Sequence, residues 1–87
     1  MNIDGSKILV IGGAGFIGSF VVSELLKTNV FKVVIYDNFA RGKQSNVLNS
    51  LKDPRCEIYP NGGDVRDIDT LNDAMHGCDA VVHLAAM

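Results

Sequence analysis

The chain has 87 residues and a formal net charge of −2, with 47% hydrophobic and 21% charged residues. This length allows one small domain, and the absence of a basic excess gives no electrostatic support for a nucleic-acid partner. The sequence shows no signal peptide and no apolar run near the ~20 residues that span a bilayer, so we expect a cytoplasmic protein without a membrane partner.

The hydrophobic pattern alternates between continuous apolar runs, typical of buried parallel strands, and helical spacing. In chain order it predicts a strand at 8–11, a helix at 16–28, a strand at 32–36, a short helix at 45–51, a strand at 56–59, a helix at 68–76 and a strand at 80–84. The apolar residues at helical spacing on the first helix are Phe16, Ile17, Phe20, Val21 and Leu25. Asp67 is expected to cap the third helix and Gly77 to end it.

This βαβαβαβ order predicts an α/β fold, because parallel strands need crossover connections, which helices supply. With right-handed crossovers the expected strand order is 3-2-1-4, a partial, three-layer Rossmann fold. The first two helices then cover one face of the sheet and the third covers the other. The fourth strand ends at an exposed edge, where we expect an uncovered apolar face or edge that favours self-association.

Four glycines lie within seven positions between the first strand and the first helix, namely Gly12, Gly13, Gly15 and Gly18. The first two are expected to permit a tight turn. Gly15 is expected to let phosphates approach the backbone, and Gly18 to bring the helix close to the sheet. A glycine turn that opens a helix places backbone N–H groups and the positive end of the helix dipole where a pyrophosphate binds.

Asp37 ends the second strand about 20 residues after Gly18, the spacing expected for the acid that accepts hydrogen bonds from the adenosine ribose. A carboxylate there attracts two hydroxyls and repels a 2′-phosphate, so NAD is favoured over NADP. Arg41, just beyond the strand, could instead meet a 2′-phosphate, although we expect an exposed loop arginine.

A polar loop at 61–67 follows the third strand at the edge of the sheet where ligands bind in such folds. Asp64 in this loop could accept the exocyclic amine of adenine, or serve loop or helix-cap chemistry. His83 is expected to be packed and hydrogen-bonded rather than a general base. No acid/base pair and no metal-ligand spacing emerges, so no catalytic residue and no metal are predicted.

Four segments occur together in order along the chain: residues 12–19, residues 37–39 with Gly42, residues 63–67 and residues 83–86. They resemble the extended short-chain dehydrogenase/reductase family, and within it the branch of NAD-dependent nucleotide-sugar epimerases and dehydratases. The resemblance covers nearly the whole chain. It implies NAD as the cofactor and, in a complete enzyme, a nucleotide-sugar substrate.

The resemblance also assigns parts of the cofactor to these segments. The glycine turn would hold the pyrophosphate, the end of the second strand the ribose, the loop after the third strand the adenine, and the end of the fourth strand the cofactor's central portion. The residues so implied are Gly12, Gly15, Phe16, Ile17 and Gly18 for the pyrophosphate, Asp37 and Asn38 for the ribose, Asp64 and Val65 for the adenine, and Leu84, Ala85 and Ala86 for the central portion.

The family's catalytic motif is missing. Its chemistry depends on a Tyr-x-x-x-Lys pair and a nearby Ser or Thr, downstream of the fourth strand. Here Tyr36 is followed four residues on by Ala40, and Tyr59 by Gly63. We therefore expect residues 1–87 to be the N-terminal part of an NAD(P)-binding Rossmann domain, without the catalytic and substrate-binding parts and not catalytically competent alone.

Two other functions stay open at this point. One is a non-catalytic dinucleotide-binding or sensing module, or a degenerate remnant, since the missing Tyr/Lys pair is equally compatible with it. The other is an S-adenosylmethionine-binding domain, which shares a glycine turn and an acid after the second strand but is disfavoured by Gly18 and the 63–67 segment.

Overall fold

Four parallel strands form the centre of the computed structural model, which describes residues 3–37, 44–60, 64 and 66–84. Each predicted element is present within about two residues of its expected bounds, and the short second helix begins as a 3-10 helix. The elements in chain order are β1 (Lys7–Ile11), α1 (Phe16–Leu26), β2 (Lys32–Tyr36), the 3-10 helix (Gln44–Val47), α2 (Leu48–Leu51), β3 (Cys56–Ile58), α3 (Ile68–Met75) and β4 (Ala80–His83).

The strands are ordered β3-β2-β1-β4, and every neighbouring pair is parallel. This confirms the predicted order 3-2-1-4 and the α/β fold. Ile11 lies opposite Tyr36 of β2 and His83 of β4, so the carboxyl ends of these strands meet at one edge of the sheet. The segments that follow them begin side by side, as ligand-binding segments do in open α/β sheets.

Each face of the sheet has its own apolar core. Val10 of β1 packs with Val22 of α1 and Val47 of the 3-10 helix on one face. On the other face, Leu9 of β1 packs with Ala74 of α3. The first two helices and the third therefore lie on opposite faces, as predicted, and each fully buried Val or Leu side chain contributes roughly 1.5–3 kcal/mol.

The apolar residues whose spacing predicted α1 are not the ones that this helix buries. Gly18 and Val22 are buried, whereas Phe16, Ile17 and Phe20 are 88%, 67% and 64% exposed. The helix is turned so that its glycine rather than its aromatic residues faces the sheet and the preceding turn. The exposed residues form an apolar surface on the outside of the fold.

Strand β4 lies at one edge of the sheet, as the predicted order requires. Val81 and Leu84 are 42% and 38% exposed. The expectation for His83 was wrong: it is exposed, and its side chain makes no hydrogen bond to another described residue. An edge strand has a neighbour on one side only, and α3 does not cover this part of the sheet.

Arg55, just before β3, forms hydrogen bonds with the C-terminal end of α1. Its guanidinium donates to the carbonyl oxygens of Leu26 at 2.5 Å and Thr28 at 2.9 Å, where a cation is favoured by the unpaired carbonyls of a helix C-terminus. It also donates to both carboxylate oxygens of Asp53, at 3.1 and 2.7 Å. These hydrogen bonds lower the pKa of Asp53 from 3.8 to about 2.

Helix α3 begins and ends where the sequence predicts. The carboxylate of Asp67 accepts hydrogen bonds from the backbone N–H of Thr70 at 3.2 Å and from its hydroxyl at 2.8 Å. Gly77 follows the helix with a φ of +79°, a conformation that glycine adopts without strain. No helix in the described parts of the chain has the length and apolar character needed to cross a bilayer.

Candidate functional site

The turn between β1 and α1 is held by its own backbone and by β2. Gly12 has a φ of +85°, and its N–H donates to the carbonyl of Tyr36 at 2.8 Å. The N–H of Gly15 donates back to the carbonyl of Gly12 at 3.2 Å. The predicted tight turn is therefore present, and the positive φ at Gly12 is the feature that requires glycine there.

At Gly13 and Gly18, different neighbouring atoms leave little or no room for a side chain. A Cβ at Gly13 would lie 3.0 Å from the side chain of Ile35, so this position serves packing on β2 rather than backbone freedom. A Cβ at Gly18 would lie 2.0 Å from the carbonyl oxygen of Gly12, which no side chain tolerates. Gly18 thus lets α1 approach the turn itself, whereas the glycine pattern predicts a close contact between the helix and the sheet.

The first turn of α1 presents open backbone donors. Gly15 is its N-cap residue and supplies no side-chain cap, and the first turn contains no acid. The first bond into the helix runs from the N–H of Ser19 to the carbonyl of Gly15 at 2.8 Å. Among the described residues, the N–H groups of Phe16, Ile17 and Gly18 find no acceptor. They carry the partial positive charge of the helix N-terminus.

Space for a ligand lies beside these donors. Among the described residues, a Cβ at Gly15 would meet only the carbonyl oxygen of Gly12, at an ordinary contact distance of 3.5 Å. This part of the fold therefore leaves room for a phosphate to approach the backbone at Gly15. The oxygens of a phosphate would supply acceptors for the N–H groups of Phe16, Ile17 and Gly18.

Asp37 follows β2 directly and faces the glycine turn. Its Oδ2 accepts a hydrogen bond from the N–H of Ala14 at 3.0 Å. The carbonyl oxygen of Ala14 in turn accepts from the Nδ2 of Asn46 at 2.8 Å. The structure thus brings together Asp37 and the turn, which the sequence placed in one site. It adds Asn46, for which no local sequence pattern gave a signal.

Asp64 lies beyond β3 and pairs with Arg66. The carboxylate accepts from the backbone N–H of Arg66 at 2.9 Å and from its guanidinium at 3.1 Å on each oxygen. These hydrogen bonds, those of the side chain foremost, hold the pKa of Asp64 below its usual value of 3.8. A carboxylate that is ionised at neutral pH accepts hydrogen bonds only, as the partner of an amine must.

Tyr36 connects β2 to the backbone at Asp64. It is fully buried, and its hydroxyl donates to the carbonyl oxygen of Asp64 at 3.0 Å. Its ring lies 5.9 Å from that of Tyr59, centre to centre, at a tilt of 40°. The sequence places Tyr36 at the end of a strand and excludes it from the catalytic Tyr-x-x-x-Lys pair. It does not predict this contact, since an apolar strand pattern does not show which atom a terminal hydroxyl bonds.

Leu84 lies at the same edge of the sheet, where its N–H donates to the carbonyl of Ile11 at 2.8 Å. It therefore follows β4 directly beside the start of the glycine turn. Four of the predicted site residues, Asn38, Val65, Ala85 and Ala86, lie outside the described residues, as does Arg41. Within the described part of the chain, no three His, Cys, Asp or Glu residues are grouped as a metal site.

The parallel sheet of order 3-2-1-4, with a glycine turn opening a helix and an acid following the next strand, defines a Rossmann-type dinucleotide-binding unit. The family model described as "NAD dependent epimerase/dehydratase family" matches residues 8–87, and the chain belongs to this family.

Sequence and structure comparisons agree on this family. The chain is 35% identical over 83 residues to UDP-glucose 4-epimerase of Rickettsia felis, covering 92% of this chain and 24% of that protein. It superposes on the epimerase Mth375 of Methanothermobacter thermautotrophicus with a TM-score of 0.82 at 32% identity, covering 98% of this chain and 24% of that one.

A third relative contains the cofactor. UDP-glucuronic acid 4-epimerase from Bacillus cereus, solved in complex with NAD, gives a TM-score of 0.79 at 35% identity over 93% of this chain and 27% of that one. The family is NAD-dependent, in agreement with the cofactor expected from the sequence. The chain spans about a quarter of the length of these relatives.

Proposed function

We propose that residues 1–87 are the NAD-binding segment of a nucleotide-sugar epimerase or dehydratase and hold the adenosine and pyrophosphate portions of NAD. The observation that carries this proposal is the set of N–H groups at Phe16, Ile17 and Gly18, which have no acceptor among the described residues. They lie at a helix N-terminus beside Gly15, where the described residues leave room for a ligand.

The pyrophosphate binds at this turn. Its oxygens accept from the N–H groups at the start of α1, where the helix dipole favours negative charge. The turn needs little rearrangement, because the N–H groups of Gly12, Ala14 and Gly15 already have acceptors within the protein. A site ordered before binding loses less conformational entropy when the ligand arrives.

The adenosine extends from the turn toward the carboxyl ends of β2 and β3. Asp37 receives the ribose hydroxyls with Asn38 beside it, and Asp64 with Val65 receives the adenine. Leu84, Ala85 and Ala86 line the central portion of the cofactor. The negative charge of Asp37 disfavours the 2′-phosphate of NADP, so NAD is the preferred cofactor.

When bound, NAD supplies a hydride acceptor, and this segment orients it. The acid/base chemistry belongs to a part of the enzyme outside residues 1–87. Tyr36 is unsuited to that role, since it is fully buried and its hydroxyl donates to the Asp64 carbonyl. Reading the coding region beyond residue 87 tests this part of the proposal: a Tyr-x-x-x-Lys motif there supports it, and an immediate stop codon contradicts it.

The complete enzyme acts on a nucleotide sugar. Support comes from the Bacillus cereus relative, which has been solved in complex with UDP-glucuronic acid and NAD at 34% identity to this chain. The sugar nucleotide would bind outside residues 1–87, in the portion that the longer relatives possess.

Isothermal titration with NAD⁺ tests the binding function. The unaltered chain is expected to bind NAD⁺, and Asp37→Ala to weaken binding about 10- to 100-fold, because a hydrogen bond to a charged group contributes roughly 1.5–3 kcal/mol. Asp73→Ala on the exposed side of α3 is the matched control and should bind as the parent does. Equal affinities for all three chains would refute the assignment.

Self-association through the exposed apolar surface accompanies this proposal. Phe16, Ile17 and Phe20 line one outward-facing cavity, and β4 pairs only with β1 among the described strands. Sedimentation of the unaltered chain is expected to show concentration-dependent dimers or larger species, reduced in Phe20→Ser. A strictly monomeric chain at all concentrations would contradict it.

A further inference from the structure

Ala14 is held at both of its backbone polar groups by side chains from another part of the chain. Its N–H donates to Asp37 at 3.0 Å, and its carbonyl accepts from the Nδ2 of Asn46 at 2.8 Å. One side chain follows β2 and the other belongs to the 3-10 helix, so both of these elements contact one residue of the glycine turn. Ala14 is fully buried, which makes both hydrogen bonds costly to lose.

The position of Asn46 is set by its neighbour in the 3-10 helix. Val47 is fully buried in the core that also contains Ala14 and Val22. This anchor directs the preceding residue toward the turn. Asn49, on α2, offers a natural comparison, since it is exposed and its side chain bonds to no other described residue.

The contact with Asn46 fixes the peptide plane that precedes the open donors. The carbonyl of Ala14 and the N–H of Gly15 belong to one planar peptide group. Asn46 holds the carbonyl end of this group, while the Gly12 carbonyl accepts from the N–H end at 3.2 Å. Because both ends of this peptide group are fixed, the direction in which the chain enters α1 is fixed too. That direction determines where the N–H groups of Phe16 and Ile17 point.

We propose that Asn46 is a positioning residue for the pyrophosphate site, acting through the Ala14–Gly15 peptide rather than by touching the cofactor. This rests on the proposed function. Loss of the Asn46 amide would allow the Ala14–Gly15 peptide to rotate. The N–H groups at the start of α1 would then no longer point to one place. Binding of the diphosphate would weaken, while the adenosine contacts at Asp37 and Asp64 would remain.

Affinities for ADP and for adenosine, measured by NMR titration, separate this role from a general structural one. Asn46→Ala is expected to weaken ADP binding about 3- to 10-fold, the effect of one hydrogen bond, and to leave adenosine binding within about twofold. Asn49→Ala should change neither. An equal loss for both ligands, or no loss for ADP, would overturn the proposal.

Amide hydrogen exchange tests the positioning without any ligand. In Asn46→Ala, the N–H groups of Ala14 and Gly15 should exchange several-fold faster than in the unaltered chain and in Asn49→Ala, while those of β1 keep their rates. Unchanged exchange at Ala14 and Gly15 would overturn the inference. If the unaltered chain binds neither ADP nor NAD⁺, the proposed function fails, and the exchange rates still decide whether Asn46 orders the turn.

Discussion

The carboxylate of Asp37 lies 3.0 Å from the backbone nitrogen of Ala14, so the acid that follows β2 accepts a hydrogen bond from the turn that follows β1. The two strands are parallel neighbours and end in register at Ile11 and Tyr36, which brings these segments together. The residue proposed to bind the ribose therefore also orders the turn proposed to bind the pyrophosphate. A substitution there acts on both.

Asp37→Asn separates the charge of this residue from its hydrogen bond. The amide oxygen can still accept from Ala14, so the turn is retained, but the charge that repels a 2′-phosphate is gone. The affinity ratio of NAD⁺ to NADP⁺ should fall about tenfold or more, since like charges ~4–5 Å apart near a surface repel by several kcal/mol. Titration with both cofactors measures this ratio, and an unchanged ratio would show that Asp37 does not face the ribose.

Alanine is expected to reduce stability at position 18 and ligand binding at position 15. In Gly18→Ala the new Cβ would lie 2.0 Å from the Gly12 carbonyl oxygen, and backbone on both sides must shift. Overpacking of this kind costs about 3 kcal/mol or more. In Gly15→Ala the nearest atom is at 3.5 Å, so stability should change by less than about 1 kcal/mol while the ligand surface is obstructed.

Urea unfolding and NAD⁺ titration of both glycine variants give the comparison. Gly18→Ala should show a lower midpoint, and Gly15→Ala a near-parent midpoint with weakened binding. A Gly18→Ala variant as stable as the parent would contradict the close contact between Gly18 and the Gly12 carbonyl.

Tyr36→Phe removes the buried hydroxyl that holds the Asp64 carbonyl. The change should cost roughly 0.5–1.5 kcal/mol of the free energy of unfolding, because that carbonyl loses one of its two donors and keeps only the N–H of Asp67, at 3.1 Å. Adenosine binding should also weaken, as Asp64 is less well placed. Tyr59→Phe is the matched control, since its hydroxyl makes no hydrogen bond to another described residue. Equal effects in denaturant unfolding would argue against a role for the Tyr36 hydroxyl.

The ion pair of Asp53 and Arg55 predicts a specific acid sensitivity. The pKa of Asp53 is lowered from 3.8 to about 2 by hydrogen bonds from Arg55. A carboxyl whose pKa is lower in the folded state stabilises it above pH ~4, and this contribution is lost as the pH falls toward ~2. Asp53→Asn should therefore lose less stability than the parent between these values.

Thermal melting across this pH range checks the prediction. Asp64 adds a dependence of the same sign, because Arg66 lowers its pKa too, but it does so equally in the parent and in Asp53→Asn. Asp73→Asn, whose side chain has no ion pair within the described residues, should follow the parent. A parent and an Asp53→Asn variant with identical pH profiles would contradict the assignment.

The fold followed from the sequence because its signals are local. Continuous apolar runs marked the strands, and Asp67 and Gly77 marked the ends of α3. The rotation of α1 did not follow, since it depends on the contact of Gly18 with the Gly12 carbonyl, which apolar spacing does not reveal. Phe16 and Phe20, whose spacing predicted the helix, face outward as a result of this rotation.

Residues of the candidate site could be proposed from the sequence where each lies in a single recognisable segment. The glycine turn, Asp37 and Asp64 each stand in a recognisable local context. Asn46 does not, because its role depends on a hydrogen bond to a residue 32 positions earlier. A polar residue in a short helix resembles any exposed amide until the backbone brings it to the turn.

A titration of the ¹⁵N-labelled chain with NAD⁺, followed by amide ¹H–¹⁵N spectra, tests the central claim most directly. The account predicts that the largest changes occur at the N–H groups of Phe16, Ile17 and Gly18, with smaller ones at Asp37 and Asp64 and none in the capped first turn of α3. Unchanged signals at the start of α1, or changes centred on another part of the fold, would contradict it.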